Sequence, residues 1–313
     1  MRVLVTGGDG FVGTSLVRGL RGAGHEVEAL VFGRDAGPGE RRLDLTRAGS
    51  LAALSGASYD AIIHTAGIVD QDAPARVHFA INAEGTRNVL AAAPALGCRH
   101  FIQISSIAVY GLRAMGEGRD EARTPRLRGL GGLPYMRSKA RAEVHVERSG
   151  VPYTMLRLPS VIGAGDSFVS AALVPRLEGG ALDRIGRRDR RFSTFFVENL
   201  APIVDRLLAV GPRGRAYNCC DPDTTWGAFV DAHADALGVE HRPRARSHGA
   251  ILRHLGDKHA LFVLTGSAFG AHFPGDALRR ELALPALRPW QEGVREGVAA
   301  FLARRAGDLA RGT

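Results

Sequence analysis

The chain has 313 residues, of which 45% are hydrophobic and 23% are charged, and its formal net charge is +9. This composition is typical of a globular protein and excludes a disordered or collagen-like chain. The charge suggests an anionic partner, but only two basic residues are lysines and the arginines are spread along the whole chain, so we expect no nucleic-acid or membrane partner.

Short apolar runs alternate with longer helical patterns through the first 160 residues. Predicted strands cover residues 2–6, 26–32, 60–65, 99–105 and 152–158. Predicted helices cover residues 11–21, 82–96 and 135–149. Strands that alternate with helices indicate βαβ units. We therefore predict an α/β fold, with a Rossmann-type, doubly wound parallel sheet and a smaller C-terminal region.

The second half of the chain loses this regular alternation. We predict a dinucleotide-binding core in residues 1–160 and a mainly substrate-binding region in residues 161–313, from which about 192–210 return to the core. Residues 112–134 are rich in Arg and Gly and predict a long loop, which is a candidate lid over the substrate.

A glycine-rich turn joins the first predicted strand to the first predicted helix, in the sequence VLVTGGDGFVGTSLV. Its glycines permit a tight turn, a close approach of the backbone to a pyrophosphate, and packing of the helix on the strand. The helix N-terminus then presents free N–H groups to the phosphates. The residues of the turn that we expect to contact a dinucleotide are Gly7, Asp9, Gly10, Phe11, Val12 and Gly13.

The end of the second strand distinguishes NAD from NADP. An NAD-binding protein places an acidic residue there to hold the ribose 2′-hydroxyl, but that position is occupied by Val31. Arg34 follows closely and suits a 2′-phosphate. We therefore predict NADP as the preferred cofactor, while Asp35 keeps NAD open.

Tyr135 and Lys139 lie one turn apart on one face of a predicted helix, and Lys139 is one of only two lysines in the chain. Upstream, a predicted strand ends in Ser105 and Ser106. Further motifs are HTAG at 64–67, NAEGTRNVL at 82–90, SSIAVYG at 105–111, LRLPSVIG at 156–163, VENLA at 197–201 and WQEGVREGV at 290–298.

Together these motifs resemble the extended short-chain dehydrogenase/reductases, an NAD(P)-dependent epimerase/dehydratase-like family. The resemblance implies an enzyme and further cofactor contacts from Asp44, Leu45, Thr65, Ala66, Gly67, Asn82, Tyr135, Lys139, Pro159 and Val161. It also implies a homodimer, because family members commonly pair the helices equivalent to residues 82–96 and 135–149 into a four-helix bundle.

The residue types also suggest a chemistry. Hydride transfer at a carbinol carbon requires a proton to move on the adjacent oxygen, and Tyr135 is the candidate general acid/base. Its ordinary pKa near 10 is high for this task, so we expect Lys139 and a positive nicotinamide to lower it. The SSIAVYG motif identifies Ser106, and not Ser105, as the donor to the substrate oxygen.

The substrate motifs separate two branches of the family. Nucleotide-sugar epimerases typically carry an Asn and an Arg where this chain has Ser160 and Phe192, with Arg191 adjacent. The segments HTAGIVD, VEN and RAYNCCDPDTTWGAF resemble instead the hydroxysteroid dehydrogenase and dihydroflavonol reductase branches. We expect a small lipophilic cyclic substrate contacted by Ile68, Val69, Ser106, Ile107, Ser160, Phe168, Phe192 and Phe196.

Two alternatives remain open at this point. One is a nucleotide-sugar epimerase, dehydratase or ketoreductase of the same fold. The other is a non-catalytic NADP-sensing regulator, although such proteins typically lose the Tyr or the Lys.

The three cysteines, Cys98, Cys219 and Cys220, show no disulfide or zinc-site spacing. The N-terminal sequence lacks the apolar stretch of a signal peptide, and no apolar run reaches the roughly 18 residues of a membrane span. We expect a cytoplasmic protein without a metal.

Overall fold

The structure is a computed structural model, and it describes residues 1–70, 72–111, 121, 133–180, 182, 184–185, 188–222, 224–243, 245–246 and 258–311. The predicted loop at residues 112–134 therefore lies almost entirely outside the described residues.

A seven-stranded sheet forms the centre of the fold, and every strand pair in it is parallel. Its strands are β1 (Arg2–Thr6), β2 (Glu26–Val31), β3 (Glu40–Arg42), β4 (Ala61–His64), β5 (His100–Ser106), β6 (Tyr153–Leu158) and β11 (Ala216–Asn218). Their spatial order is β11-β6-β5-β4-β1-β2-β3. This is the order of a doubly wound sheet, whose direction of winding reverses between β1 and β4, and it confirms the predicted fold class.

Side chains alternate between the two faces of each strand, so each face builds its own core. Val3 and Val5 point to one face, which helices α1 (Phe11–Gly22) and α6 (Leu200–Val210) cover. Leu4 points to the other face, covered by α3 (Gly85–Ala92) and α4 (Pro134–Arg148). Both faces are buried, which explains why the strands are continuous apolar runs.

The predicted helix at 82–96 differs from the observed segment. The helical chain begins earlier, with α2 (Ala75–His78), and passes through a π-helical turn at Phe79–Glu84 before α3. It ends at Ala92, shortly before Pro94, which lacks the N–H that would continue the hydrogen-bond ladder. The predicted strands lie within one residue of the observed bounds, but β3 and β11 of the same sheet were not predicted.

The C-terminal half adds short strand pairs and a second cluster of helices. The strands are β7 (Ser160–Ile162), β8 (Arg184–Ile185), β9 (Arg191–Phe192), β10 (Thr194–Phe196), β12 (Thr224–Thr225) and β13 (Ala245–Arg246). The helices are α5 (Val169–Glu178), α7 (Trp226–Leu237), α8 (Lys258–Phe269), α9 (Asp276–Leu282) and α10 (Trp290–Arg311). In the described part of the chain, no helix is both long enough and apolar enough to cross a membrane.

Candidate active site

The glycine turn after β1 lies beside the point where the winding of the sheet reverses. Gly7 has a φ of +72°, in the left-handed region that favours glycine. A Cβ at Gly13 would lie only 2.0 Å from the Gly7 carbonyl oxygen, so no larger residue fits there. Gly10 is exposed, and a Cβ there would meet only the Gly7 oxygen at 3.4 Å. The turn therefore leaves open the space in front of the α1 N-terminus that a pyrophosphate requires.

Asp9 links this turn to the end of β2. Its Oδ2 accepts hydrogen bonds from the backbone N–H groups of Phe32 at 3.0 Å and Gly33 at 2.7 Å. Arg34 follows but is already paired, because its guanidinium donates to both oxygens of Glu40 at 2.6 Å. The Arg34 guanidinium and the N–H of Gly37 lower the pKa of Glu40 to about 2. A 2′-phosphate at Arg34 would therefore compete with the Glu40 carboxylate. This ion pair was not predicted from the sequence.

Hydrogen bonds to neighbouring elements hold the loop after β4 in place. Thr65 Oγ1 donates to the carbonyl of Thr6 at 2.6 Å. Asn82 accepts from the N–H of Ile68 at 2.8 Å and donates to its carbonyl at 3.0 Å and to Ser138 Oγ at 2.9 Å. Both donors of the Asn82 amide are thus committed to protein atoms, and Asn82 holds the loop against α4.

The remaining residues that we expect to contact the cofactor lie at the same edge of the sheet. Asp44 caps the turn after β3, accepting from the backbone N–H of Thr46 at 3.0 Å and from its hydroxyl at 2.6 Å. The Leu45 carbonyl accepts from Asn88 at 2.8 Å. Pro159 is buried between β6 and β7, and Val161 packs partly against the core.

Tyr135, Lys139 and Ser106 are brought together where α4 begins beside the end of β5. Pro134 occupies the first position of α4, where a missing N–H has no effect. Burial raises the pKa of Tyr135, and a hydrogen bond between its side chain and that of Ser106 partly offsets this. The Ser106 oxygen also accepts from the N–H of Ala108 at 3.1 Å, which fixes its orientation.

Lys139 is buried on the face of α4 that lies against β5. Its Nζ donates to the Ile104 carbonyl at 2.8 Å. Burial lowers the pKa of Lys139 to about 8, although the charge of Glu143 opposes that effect. The expected lowering of the Tyr135 pKa by Lys139 together with a positive nicotinamide stays a prediction.

A buried ion pair between Glu143 and Arg157 lies near these residues, and it was not predicted from the sequence. Glu143 accepts from Arg157 at 2.8 Å and 3.0 Å and from Ser105 Oγ at 2.6 Å, and Glu143 and Arg157 are at most 2% exposed. Arg157 also donates to the Tyr110 hydroxyl at 2.8 Å, which donates to Asn218 at 2.8 Å. The sequence contained one indication that Glu143 is buried near the site, because it follows Lys139 by one helical turn on the same face.

The residues expected to line the substrate fall into two groups. Ile68, Ser106, Ile107, Ser160 and Phe168 are partly exposed, and Val69 is 61% exposed. Phe192 is 2% exposed and packs against Trp226 and Phe229 with ring centroids 5.0 Å apart. Phe196 is fully buried, with the Arg288 guanidinium 4.7 Å from its ring centroid. Phe192 and Phe196 therefore belong to the packed interior, which corrects the expectation that they line an open pocket.

Within the described ranges, no group of three or more His, Cys, Asp or Glu side chains is arranged to hold a metal ion. The three cysteines are buried and free.

Comparison with known proteins identifies the family. Residues 3–220 match the model of the NAD dependent epimerase/dehydratase family. The chain belongs to this family. The resemblance of its motifs to the extended short-chain dehydrogenase/reductases is thereby confirmed.

Among curated relatives of this family member is the 3 beta-hydroxysteroid dehydrogenase/Delta 5-->4-isomerase of Mycobacterium tuberculosis, 32% identical over 64% of this chain. The alignment spans only 58% of that relative's length. The human 3 beta-hydroxysteroid dehydrogenase type 7 is 35% identical over 75% of this chain and 72% of its own length.

The solved structures agree on the fold. The enzyme WbmH of Bordetella bronchiseptica, in complex with NAD+, has a TM-score of 0.74 at 21% identity, with 96% of this chain and 98% of WbmH covered. RMD from Pseudomonas aeruginosa, complexed with NADPH, has a TM-score of 0.69 at 24% identity, with 97% and 99% covered.

Proposed function

We propose that this enzyme interconverts a ketone and a secondary alcohol on a small, lipophilic cyclic substrate that carries no nucleotide. The observation that carries the proposal is the convergence of Tyr135, Ser106 and Lys139 at the carboxyl edge of the sheet, where the glycine turn also lies, two strands away. Ligands of doubly wound sheets bind at this edge.

The protein's part in the reaction is proton transfer and orientation. A bound nicotinamide dinucleotide would supply the hydride chemistry, and the glycine turn with Thr65, Ala66 and Gly67 would hold it. In the direction of reduction, Tyr135 gives its phenolic proton to the carbonyl oxygen as the carbon is reduced, and Ser106 donates a hydrogen bond to that oxygen. In oxidation the phenolate takes the proton back.

Two lines support a non-nucleotide substrate. The curated relatives described above are named as hydroxysteroid dehydrogenases. Phe192, at the position where epimerases typically carry a diphosphate-binding arginine, is buried among aromatic rings and cannot contact a diphosphate. The nucleotide-sugar alternative predicts binding of UDP or TDP, and calorimetry showing no such binding removes it.

We also propose that NADP is preferred, with Arg34 as the contact for the 2′-phosphate. The position of Arg34 supports this role, because it directly follows Gly33, whose backbone N–H donates to Asp9 of the glycine turn at 2.7 Å. Wild-type protein that binds NADH more tightly than NADPH would contradict this preference.

The function is tested with a panel of steroid, flavonoid and polyketide ketones, offered with NADPH and with NADH. Oxidation of the cofactor is followed by its absorbance. Replacing Tyr135 with Phe removes the proton donor, and general acid catalysis is worth about 10²–10⁴-fold in rate. Tyr135→Phe should lose turnover by this factor and keep cofactor binding. An intact biological activity in this variant would favour the sensor alternative.

A further inference from the structure

His78 is a buried histidine at the end of α2, directly before the π-helical turn. Only 1% of its surface is exposed. Neither ring nitrogen has a hydrogen-bond partner in the described part of the chain. A buried polar group without a partner destabilises the folded state, and such groups are rare enough in proteins to require an explanation.

Another buried histidine of this protein shows how both ring nitrogens can find hydrogen-bond partners within the fold. His64 is fully buried too, but its Nδ1 is 2.6 Å from Thr6 Oγ1 and its Nε2 is 3.0 Å from Thr86 Oγ1. Both nitrogens of His64 therefore have partners within the protein. His78 has the same burial and lacks that arrangement.

The position of His78 relates it to the candidate reaction centre. Its ring packs edge-on against the ring of Tyr135, with centroids 6.2 Å apart and an interplanar angle of 63°. One turn further along, Asn82 is bonded to Ser138 of α4, which fixes the register of the two helices. Helices that follow parallel strands begin at the carboxyl edge of the sheet, where ligands bind. His78 is therefore held beside the proton donor on the ligand side.

The backbone around His78 is also unusual. The π-helical turn at Phe79–Glu84 starts at the next residue and includes Asn82. Such turns occur frequently at functional sites, because the wider turn displaces the side chains before it relative to those after it. Here His78 lies directly before the turn, and Asn82, which is bonded to α4, lies within it.

We propose that His78 is a substrate-binding residue, whose imidazole hydrogen-bonds a second oxygen function of the substrate close to the carbon on which Tyr135 acts. This rests on the proposed function. The ligand class is a ketone or secondary alcohol with a neighbouring carbonyl, hydroxyl or carboxylate. An imidazole can donate at one nitrogen and accept at the other, whereas a plain hydrocarbon neighbour would leave both unpaired.

The first test is the stability of the protein without substrate. Replacing His78 with Phe or Leu removes two unpaired polar atoms, so the melting temperature should rise by about 2 °C or more. His64→Phe is the matched control: it breaks two hydrogen bonds at equal burial and should lower the melting temperature. A lower melting temperature in both His78 variants would overturn the proposal.

The second test compares two cyclic probes, an alkyl 2-oxocyclohexane-1-carboxylate, which carries an ester beside the ketone, and cyclohexanone, which is the plain ketone. His78→Phe should lower kcat/KM about tenfold for the ester, the loss expected for one hydrogen bond, and leave the plain ketone within about twofold. His78→Asn, which can still donate and accept, should retain most of the ester activity. Equal losses on both probes, or none on either, would refute the assignment.

The two proposals fail differently. Tyr135→Phe should abolish reduction of both probes, whereas the His78 variants should separate them. If the wild type reduces neither probe, the proposed function is wrong for these ketones. The melting temperatures of the His78 variants then remain as the test of the His78 proposal.

Discussion

Lys139 provides a direct test of the electrostatics of the site. Its side chain is 6% exposed, and burial lowers its pKa from 10.5 to about 8. The folded protein therefore binds fewer protons at this lysine than the unfolded chain does between those pH values. Because of this difference, the free energy of unfolding rises as the pH increases from about 8 to about 10.5. At neutral pH the full penalty of the charged lysine is present.

The magnitude follows from the pKa change. At about 1.4 kcal/mol for each pH unit, the charged lysine destabilises the folded state by about 3 kcal/mol at neutral pH. Replacing Lys139 with Met removes this penalty and also the hydrogen bond to Ile104, which contributes about 1 kcal/mol. The variant should therefore be more stable by about 2 kcal/mol, or roughly 3 °C in melting temperature for a chain of this length, while it loses catalysis.

The assay is a set of denaturant and thermal melts of the protein without nicotinamide, at about pH 7 and about pH 10. The advantage of Lys139→Met should disappear at the higher pH, where the wild-type lysine is neutral. Arg141→Met is the control, because Arg141 is an exposed cation on the same helix and its removal should change stability little. A Lys139→Met variant less stable than the wild type at neutral pH would refute the reasoning.

Three further predictions concern the cofactor site and the buried ion pair. Glu40→Gln frees Arg34 from an exposed ion pair, so NADPH affinity in fluorescence titrations should rise about two- to fivefold and NADH affinity should not. Glu143→Ala leaves the charge of Arg157 buried and alone and should lower the free energy of unfolding by about 3–5 kcal/mol; the double change Glu143→Leu with Arg157→Met should recover most of it in urea melts. Gly13→Ala should abolish cofactor binding by calorimetry, because the new Cβ meets a carbonyl oxygen; unchanged affinity would exclude the turn as the binding site.

Much of the fold followed from patterns that are local in the chain. The strand Arg2–Thr6 and the glycines after it are contiguous, so their periodicity and turn geometry can be recognised in sequence. Tyr135 and Lys139 are four residues apart, and the geometry of a helix places them on one face. The helix before α4 was less accurately predicted, because the π-helical turn at Phe79–Glu84 has no simple pattern.

The sequence by itself determined most of the alternating strands and helices of residues 1–160, the glycine-rich turn and the Tyr–Lys spacing, since each depends on residues close together in the chain. Only the tertiary structure decided that Arg34 is paired with Glu40, that Lys139 donates to a strand carbonyl, and that Phe192 is buried. The position of His78 against Tyr135 was also decided there. These contacts join segments that are separate in sequence, and the packing of helices on a common sheet brings them together.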